Sequence, residues 1–237
     1  MKKSVCILFA LLIVFSFCSC NGKKIKDPEV DKSGKLTVLT DVTPQVTQDE
    51  KDLFLQAQKN YTEKSFEPIA ILGTQVVAGE NIAYFCKGLN EEHPYYFVEV
   101  YKDLENNVSI QKTAPFIVGD YLTNHDIDVK ALAGGYTVNS DLKSTELPPD
   151  VKKGFDNFAG KTKGTIYTPI ALVACQGEAS ETNYSVLCTV REKDDKNSTR
   201  LAVVTICCDE NGNSNVDSNC EFLISAVFDG DTNSNKK

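Results

Sequence analysis

The sequence predicts an α+β fold in which two consecutive copies of one unit each place a single helix on an antiparallel β-sheet meander. Three observations lead to this fold: an internal repeat, one amphipathic segment in each copy, and strand-like runs that follow it. The first copy spans residues 34–122 and the second copy residues 134–228, joined by a linker over residues 123–133. We therefore expect two domains with the same order of elements.

The repeat consists of residues that keep their spacing without a gap. Phe54, Phe66, Pro68, Ala70 and Gln75 recur 101 positions later as Phe155, Tyr167, Pro169, Ala171 and Gln176. The flanking matches shift by one residue: residues 36–41 match residues 136–141, and Asn81 and Cys86 match Asn183 and Cys188. Such self-similarity indicates a duplicated structural unit.

Each copy has one predicted helix. Thr47 and Glu50 have the spacing of a capping box in the first copy. In the second copy, Pro148 and Pro149 suit a helix start and Gly160 suits its end. An apolar stripe follows each start; it comprises Leu53, Phe54, Ala57 and Tyr61 in the first copy and Val151, Phe155 and Phe158 in the second.

The segments after each helix are rich in β-branched and aromatic residues and are separated by turn-forming residues, as is typical of strands. In residues 95–102, YYFVEVYK, successive side chains alternate between two faces. Tyr96, Val98 and Val100 fall on one face, and Phe97, Glu99 and Tyr101 fall on the other. We expect a half-buried antiparallel sheet with one face on the helix.

The start of the chain predicts export. Lys2 and Lys3 precede an apolar run over residues 5–17, which has the form of a signal peptide and is too short for a permanent membrane span. The segment ending in Ser19 and Cys20 resembles a bacterial lipobox. Residues 1–20 are thus a predicted leader, with Cys20 as the lipid acceptor that anchors the exported protein to a bacterial membrane; plain secretion is the alternative.

Polar segments flank the predicted folded body. Residues 21–33 suit a flexible tether, and residues 229–237 suit a disordered tail.

Composition argues against nucleic-acid binding and against catalysis. The net charge is −8, and no basic stripe is present that would bind phosphates. His93 and His125 are the only histidines, so neither a Cys–His dyad nor a histidine metal site is expected. The carboxylate pairs at residues 194–195 and 126–128 suit solvated loops. We expect a monomer that is not an enzyme and has no cofactor or metal.

Residues 75–79, QVVAG, place three apolar residues at a predicted hairpin tip: Val76, Val77 and Ala78. Turns normally consist of polar residues, glycine or proline, and an exposed apolar tip is typical of a binding surface. The alternative is that the tip packs on the neighbouring copy.

The order strand, helix, strand, QVVAG, strand, hairpin, strand resembles the cystatin and stefin family, in which a Gln-x-Val-x-Gly loop links the second and third strands. Gly34 precedes the first strand as the family's N-terminal glycine does. DLENN, residues 103–107, occupies the place of the family's second hairpin loop and offers Leu104. The resemblance covers nearly all of the first copy.

This resemblance implies two cystatin-like domains, the first of which reversibly inhibits papain-like cysteine proteases. A wedge made of an N-terminal trunk and two hairpin tips would enter the protease cleft, with Gly34, residues 75–79 and Leu104 as contacts. Within residues 75–79, Gln75 and Gly79 flank the three apolar residues of the tip. The alternative is a cystatin-like binding or scaffold module of the cell envelope that inhibits nothing.

Two departures from the family pattern concern the loops. The chain has no Trp, which cystatins often carry in the second hairpin loop. The second copy reads QGEASETN where the first has its valines. The second copy is therefore expected to be a spacer or a different binding module.

The cysteines give two expectations. Cys86 and Cys188 occupy equivalent positions and are predicted to be small buried hydrophobes facing the helix. In an exported chain, Cys220 could form a disulfide with Cys208, or with its neighbour Cys207, across a hairpin.

Overall fold

A computed structural model of the chain describes residues 37–38, 45–122, 137–140, 142, 145–177, 181–209 and 213–228. The first copy comprises β1 (Thr37–Val38), α1 (Gln48–Lys59), β2 (Phe66–Val77), β3 (Gly79–Gly88), β4 (Tyr95–Lys102), β5 (Val108–Pro115) and a 3-10 helix (Val118–Tyr121). The second comprises β6 (Thr137–Val138), α2 (Pro149–Lys161), β7 (Thr165–Gly177), β8 (Glu181–Glu192), β9 (Asp195–Asp209), β10 (Ser214–Phe222) and α3 (Ile224–Phe228). The fold is α+β with antiparallel sheets, as predicted.

Several predictions fall outside the described residues. They are the leader with Cys20, the tether over residues 21–33, Gly34, most of the linker over residues 123–133, and the tail over residues 229–237. His125 and the carboxylates at 126–128 also lie there.

The two copies form sheets of the same topology, with strand orders β1-β2-β3-β4-β5 and β10-β9-β8-β7-β6. The register of β2 against β3 shifts between Pro68 and Ala70 and again after Ile71. The register of β7 against β8 shifts at the positions 101 residues later, between Pro169 and Ala171 and after Leu172. Matching irregularities indicate that the duplication extends to backbone detail, since β-bulges are built features of a fold.

The first helix begins as its sequence predicts. The side chain of Glu50 accepts a hydrogen bond from the Thr47 amide at 2.7 Å, and the Thr47 hydroxyl accepts one from the Glu50 amide at 3.4 Å. Phe54 is fully buried against Tyr84 of β3, with ring centroids 5.0 Å apart. The capping box is therefore confirmed, as are Leu53, Phe54 and Ala57 of the predicted stripe, whereas Tyr61 packs on the same cluster from beyond the end of α1.

The second helix begins at Pro149 and buries its predicted stripe, Val151, Phe155 and Phe158. The expectation that Gly160 ends this helix is wrong, because α2 continues to Lys161 and is capped by Thr162. The Thr162 hydroxyl donates to the Ala159 carbonyl at 2.7 Å and supplies the end that the glycine was expected to provide.

The face of each sheet that points away from its helix is also buried. In β4, Tyr96 and Val98 pack beneath α1, whereas Phe97 on the opposite face is fully buried in a second cluster. This second cluster draws on both sheets and includes Phe85, Tyr95, Phe97 and Phe116 from the first copy and Ile170, Leu187, Leu201 and Val203 from the second. The prediction of a half-buried sheet is wrong, because the two sheets pack face to face.

Aromatic rings cross between the copies. Phe222 of β10 lies 4.7 Å from Tyr121 and 6.1 Å from Phe97, measured between ring centroids, and Phe116 stacks on Tyr121 at 4.9 Å. The layers are therefore helix, sheet, sheet, helix, with a shared core in the middle. A test of function should use the whole chain, since a separated copy would expose this core to water.

The structure extends the repeat beyond the matches found in the sequence. Asp103 and Asn107 close the β4–β5 turn through hydrogen bonds of 2.7 and 2.8 Å, from the Asn107 amide and side chain. Asp209 and Asn213 close the β9–β10 turn in the same way at 2.8 Å each. These residues lie 106 positions apart, an offset that the search around 101 does not reach.

Cys86 lies beneath α1 and Cys188 beneath α2, and both are fully buried free thiols. The prediction that they are small core hydrophobes is confirmed. Burial raises the pKa of both thiols well above its usual value.

The predicted disulfide is wrong, because the register of β9 and β10 holds Cys220 far from Cys208 and from its neighbour Cys207. Cys208 pairs in register with Ser214, whereas Cys220 pairs with Val203. Five positions along β9 correspond to about 17 Å at about 3.4 Å per residue, and a disulfide requires Cα atoms within about 7 Å. The side chains also lie on opposite faces: Cys208 packs beneath α2 and Cys220 packs on the shared core.

Candidate functional site

The β2–β3 hairpin ends in a very tight apolar tip. Val77 pairs directly with Gly79, so that Ala78 alone forms the turn. Val76 and Val77 are each 42 % exposed, and Ala78 is exposed as well. The described residues of the second copy therefore leave the tip exposed.

The β4–β5 turn presents a second exposed apolar residue. Leu104 is 76 % exposed, the highest value among the large apolar side chains that the structure describes. Asp103 and Asn107 close the turn beneath it, and Asn106 takes a left-handed conformation with φ 66°. The side-chain hydrogen bond from Asn107 lowers the pKa of the Asp103 carboxyl, so this closure persists at neutral pH.

The tip and the turn lie against each other. The Tyr101 hydroxyl donates to the Ala78 carbonyl at 2.5 Å, and Glu80 pairs in register with Lys102. We call residues 75–79 together with residues 103–107 the first edge. Its exposed apolar residues, Val76, Val77 and Leu104, therefore lie on neighbouring hairpin ends.

Gly79 makes this close approach possible. Its φ is +128°, a conformation that residues with a Cβ rarely adopt. A Cβ at this position would also collide with the Lys102 carbonyl oxygen and lie 2.9 Å from the Tyr101 ring. Gly79 is therefore required by the chain's own packing, before any approach of a partner is considered.

Gln75 points into the hairpin. Its side-chain oxygen accepts a hydrogen bond from the side-chain nitrogen of Asn81 at 2.8 Å, and Gln75 is half-buried. The equivalent pair in the second copy, Gln176 and Asn183, is 3.5 Å apart. Within the described structure, Gln75 holds the two strands of the tip together.

The equivalent end of the second copy, the second edge, comprises the ends of β7 and β8 and the two residues that close the β9–β10 turn, Asp209 and Asn213. Cys207 occupies the place that Tyr101 has in the first copy. Tyr101 pairs in register with Asn81, and Cys207 pairs with the equivalent residue of the second copy, Asn183. The Cys207 thiol lies 3.1 Å from a Glu181 carboxylate oxygen. Tip residues 178–180 are outside the described part, and no large apolar side chain described at this end is exposed.

The first edge combines exposed apolar tips with a few ionisable residues. The ionisable residues beside the apolar tips are Glu80, Lys102, Asp103 and Glu105. In the described ranges, no cluster of three His, Cys, Asp or Glu residues could hold a metal ion. His93 packs edge-on against the ring of Tyr96, with the ring centroids 6.1 Å apart.

The sequence placed Gly34, residues 75–79 and Leu104 in one candidate site. The structure brings residues 75–79 and Leu104 together, and Gly34 lies outside the described residues. Sequence reasoning missed Tyr101 and Asn81, which hold the tip from within. The sequence did point to Asn81, because the pair Gln75 and Asn81 recurs in the second copy as Gln176 and Asn183. Nothing in the sequence pairs the Tyr101 hydroxyl with the Ala78 carbonyl.

No family model matches this chain, and no curated protein sequence matches it. Among the described residues, none of the helices is both long and apolar enough to span a membrane.

Proposed function

We propose that the first copy reversibly inhibits papain-like cysteine proteases by inserting its first edge into the protease cleft. The observation that carries this proposal is the position of Val76, Val77 and Leu104, which are exposed on two hairpin ends joined by Tyr101. An apolar edge narrow enough to enter a cleft can block substrate without taking part in any reaction.

The energetics of docking agree with this proposal. Apolar surface removed from water contributes about 25 cal/mol per Å², and the three side chains are available for such burial. Hydrogen bonds within the chain already order the tip and the turn, so docking loses little conformational entropy. An edge of this kind binds more tightly than flexible loops of the same composition would.

The proposal extends to the rest of the chain. Both copies are cystatin-like units, supported by the shared order of elements and by the position of QVVAG between β2 and β3. The protein is exported and anchored to a bacterial membrane through a lipid on Cys20, supported by the leader and lipobox pattern of residues 1–20. In the sequence, the tether and Gly34, the proposed trunk of the wedge, follow Cys20 directly.

The test is a titration of active-site-calibrated papain with the whole chain lacking residues 1–20, following hydrolysis of a fluorogenic peptide. Val77→Asp places a charge on the apolar tip and is expected to weaken inhibition at least tenfold, equivalent to about 1.4 kcal/mol. Leu55→Asp is the matched control, because Leu55 is exposed to the same extent, 43 %, but lies on α1.

Inhibition by the wild-type chain and by Leu55→Asp, with loss in Val77→Asp, supports the proposal. Equal inhibition by both variants contradicts docking through the first edge. A folded wild-type chain that fails to inhibit papain and related proteases leaves the non-inhibitory binding module as the better account.

A further inference from the structure

We infer that Tyr101 is a positioning residue that joins the tip to the β4–β5 turn, so that the first edge enters a preformed cleft of its protein partner as one rigid body. The choice of partner class rests on the proposed function. The role of Tyr101 in holding the tip rests on the geometry alone.

Two contacts of Tyr101 act on consecutive tip residues. Its hydroxyl donates to the Ala78 carbonyl at 2.5 Å, and its ring edge lies 2.9 Å from the place where a Cβ on Gly79 would be. Ala78 is the single residue of the turn, so its carbonyl has no neighbour within a longer loop to bind. Tyr101 therefore fixes the tip at the point where the chain reverses.

Tyr101 also stands beside the second element of the edge. It is followed by Lys102, whose carbonyl approaches Gly79, and then by Asp103, which closes the turn that carries Leu104. The backbone of β4 thus links the residue that holds the tip to the turn. The spacing between the valines and Leu104 depends on this link.

The second copy offers an internal comparison. Cys207 stands at the position of Tyr101, and its thiol contacts Glu181. A thiol is shorter than a phenol and is a weaker hydrogen-bond donor. The phenol that holds the apolar tip in the first copy is therefore replaced by a thiol in the second copy, whose corresponding segment carries no valines.

A rigid edge fits one kind of partner. A preformed cleft binds an edge of fixed shape at little entropic cost. A partner that closes around its ligand gains little affinity from an edge whose shape is already fixed. If only a fraction of the molecules holds the tip in place, the apparent dissociation constant rises by the inverse of that fraction.

The experiment compares Tyr101→Phe with Tyr61→Phe in the whole chain lacking residues 1–20. Each variant removes one phenol hydroxyl; that of Tyr61 donates to Glu63 at 3.1 Å, beyond the end of α1. Three quantities are measured: the thermal midpoint, ¹⁵N order parameters at Ala78 and Gly79, and the inhibition constant for papain.

Tyr101→Phe is expected to lower the tip order parameters from the value of about 0.85 for rigid backbone towards about 0.6. The inhibition constant should rise roughly threefold to tenfold, the effect of about one neutral hydrogen bond. Tyr61→Phe should change neither quantity. The two variants should differ little in thermal midpoint, because both hydroxyls bind at the protein surface.

Unchanged order at Ala78 and Gly79 in Tyr101→Phe would overturn the inference, as would a mobile tip with an unchanged inhibition constant. If the wild-type chain does not inhibit papain, the proposed function fails by itself. The order parameters then still decide whether Tyr101 holds the tip.

Discussion

The first edge and the second edge stand on the same scaffold and present different side chains. Both sheets have the same strand order and matched register shifts, and an Asp–Asn pair closes the last turn in each. The side chains that reach solvent differ: the first edge exposes Val76, Val77 and Leu104, whereas the described part of the second edge exposes no large apolar residue.

This difference shows which residues the duplication has kept. The matched positions are those that close turns, pair strands or fill the space between helix and sheet. The positions that differ, such as Tyr101 and Cys207, lie where the strands reach the edge. A change there alters the exposed surface at little cost to the fold.

The largest expected effect tests whether the scaffolds are equivalent. Phe54 and Phe155 occupy the same position of the repeat, and each is buried between its helix and its sheet. Replacing either by Ala should cost about 3–5 kcal/mol of unfolding free energy, measured by urea titration with circular dichroism.

Both Phe→Ala variants should unfold in a single transition, because the sheets share one core. Two separate transitions, with only one of them shifted in each variant, would show that the copies unfold independently. That outcome would contradict the claim that the two copies share one core.

A smaller effect separates the two edges. Gly79→Ala introduces a Cβ at φ +128° against the Lys102 carbonyl and should cost about 1–3 kcal/mol. Gly177→Ala at the end of β7 is the control, since nothing lies within 4 Å of the added Cβ, and its effect should stay within about 0.5 kcal/mol. Equal losses of unfolding free energy in the two variants would show that the first tip does not require glycine at position 79.

The smallest effect concerns pH and the equivalent thiols. Burial raises the pKa of Cys86 and Cys188 in the folded state, so unfolded thiols lose their protons first as the pH rises. Stability is therefore fully present below the unfolded pKa of about 8.5 and falls above it, by up to about 1.4 kcal/mol per pH unit for each thiol.

Cys86→Ala and Cys188→Ala should each flatten this decline between pH 8.5 and pH 10 by a similar amount. Unfolding free energies at several pH values measure the slope. An unchanged slope in either variant would mean that the thiol ionises as readily in the folded protein as in the unfolded chain.

The sequence contained most of the local structure of this fold. The capping box at Thr47, the buried stripe of α2 and the facing of Cys86 and Cys188 follow from helix and strand periodicity. The contact between the sheets was not predicted, although β4 carries an apolar residue on both faces over most of its length. Such continuous apolar runs are typical of strands buried on both sides. The alternating pattern was interpreted as one buried face, so the apolar residues of the other face were not used.

The candidate site was predictable in composition and not in geometry. An apolar QVVAG tip is visible in the sequence, as is an exposed Leu104. The contact between Tyr101 and Ala78 depends on the register of three strands, which a one-residue slip would change. The wrong disulfide between Cys208 and Cys220 has the same cause, because hairpin proximity was assumed without a register.

The most direct test of this account is a hydrogen-exchange footprint of the whole chain with papain blocked at its catalytic cysteine by a methylthio group. The account predicts slower exchange at residues 75–81 and 101–107 in the complex, with residues 174–183 and 205–215 unchanged. Protection of the second edge, or none at the first edge despite measured binding, would contradict it.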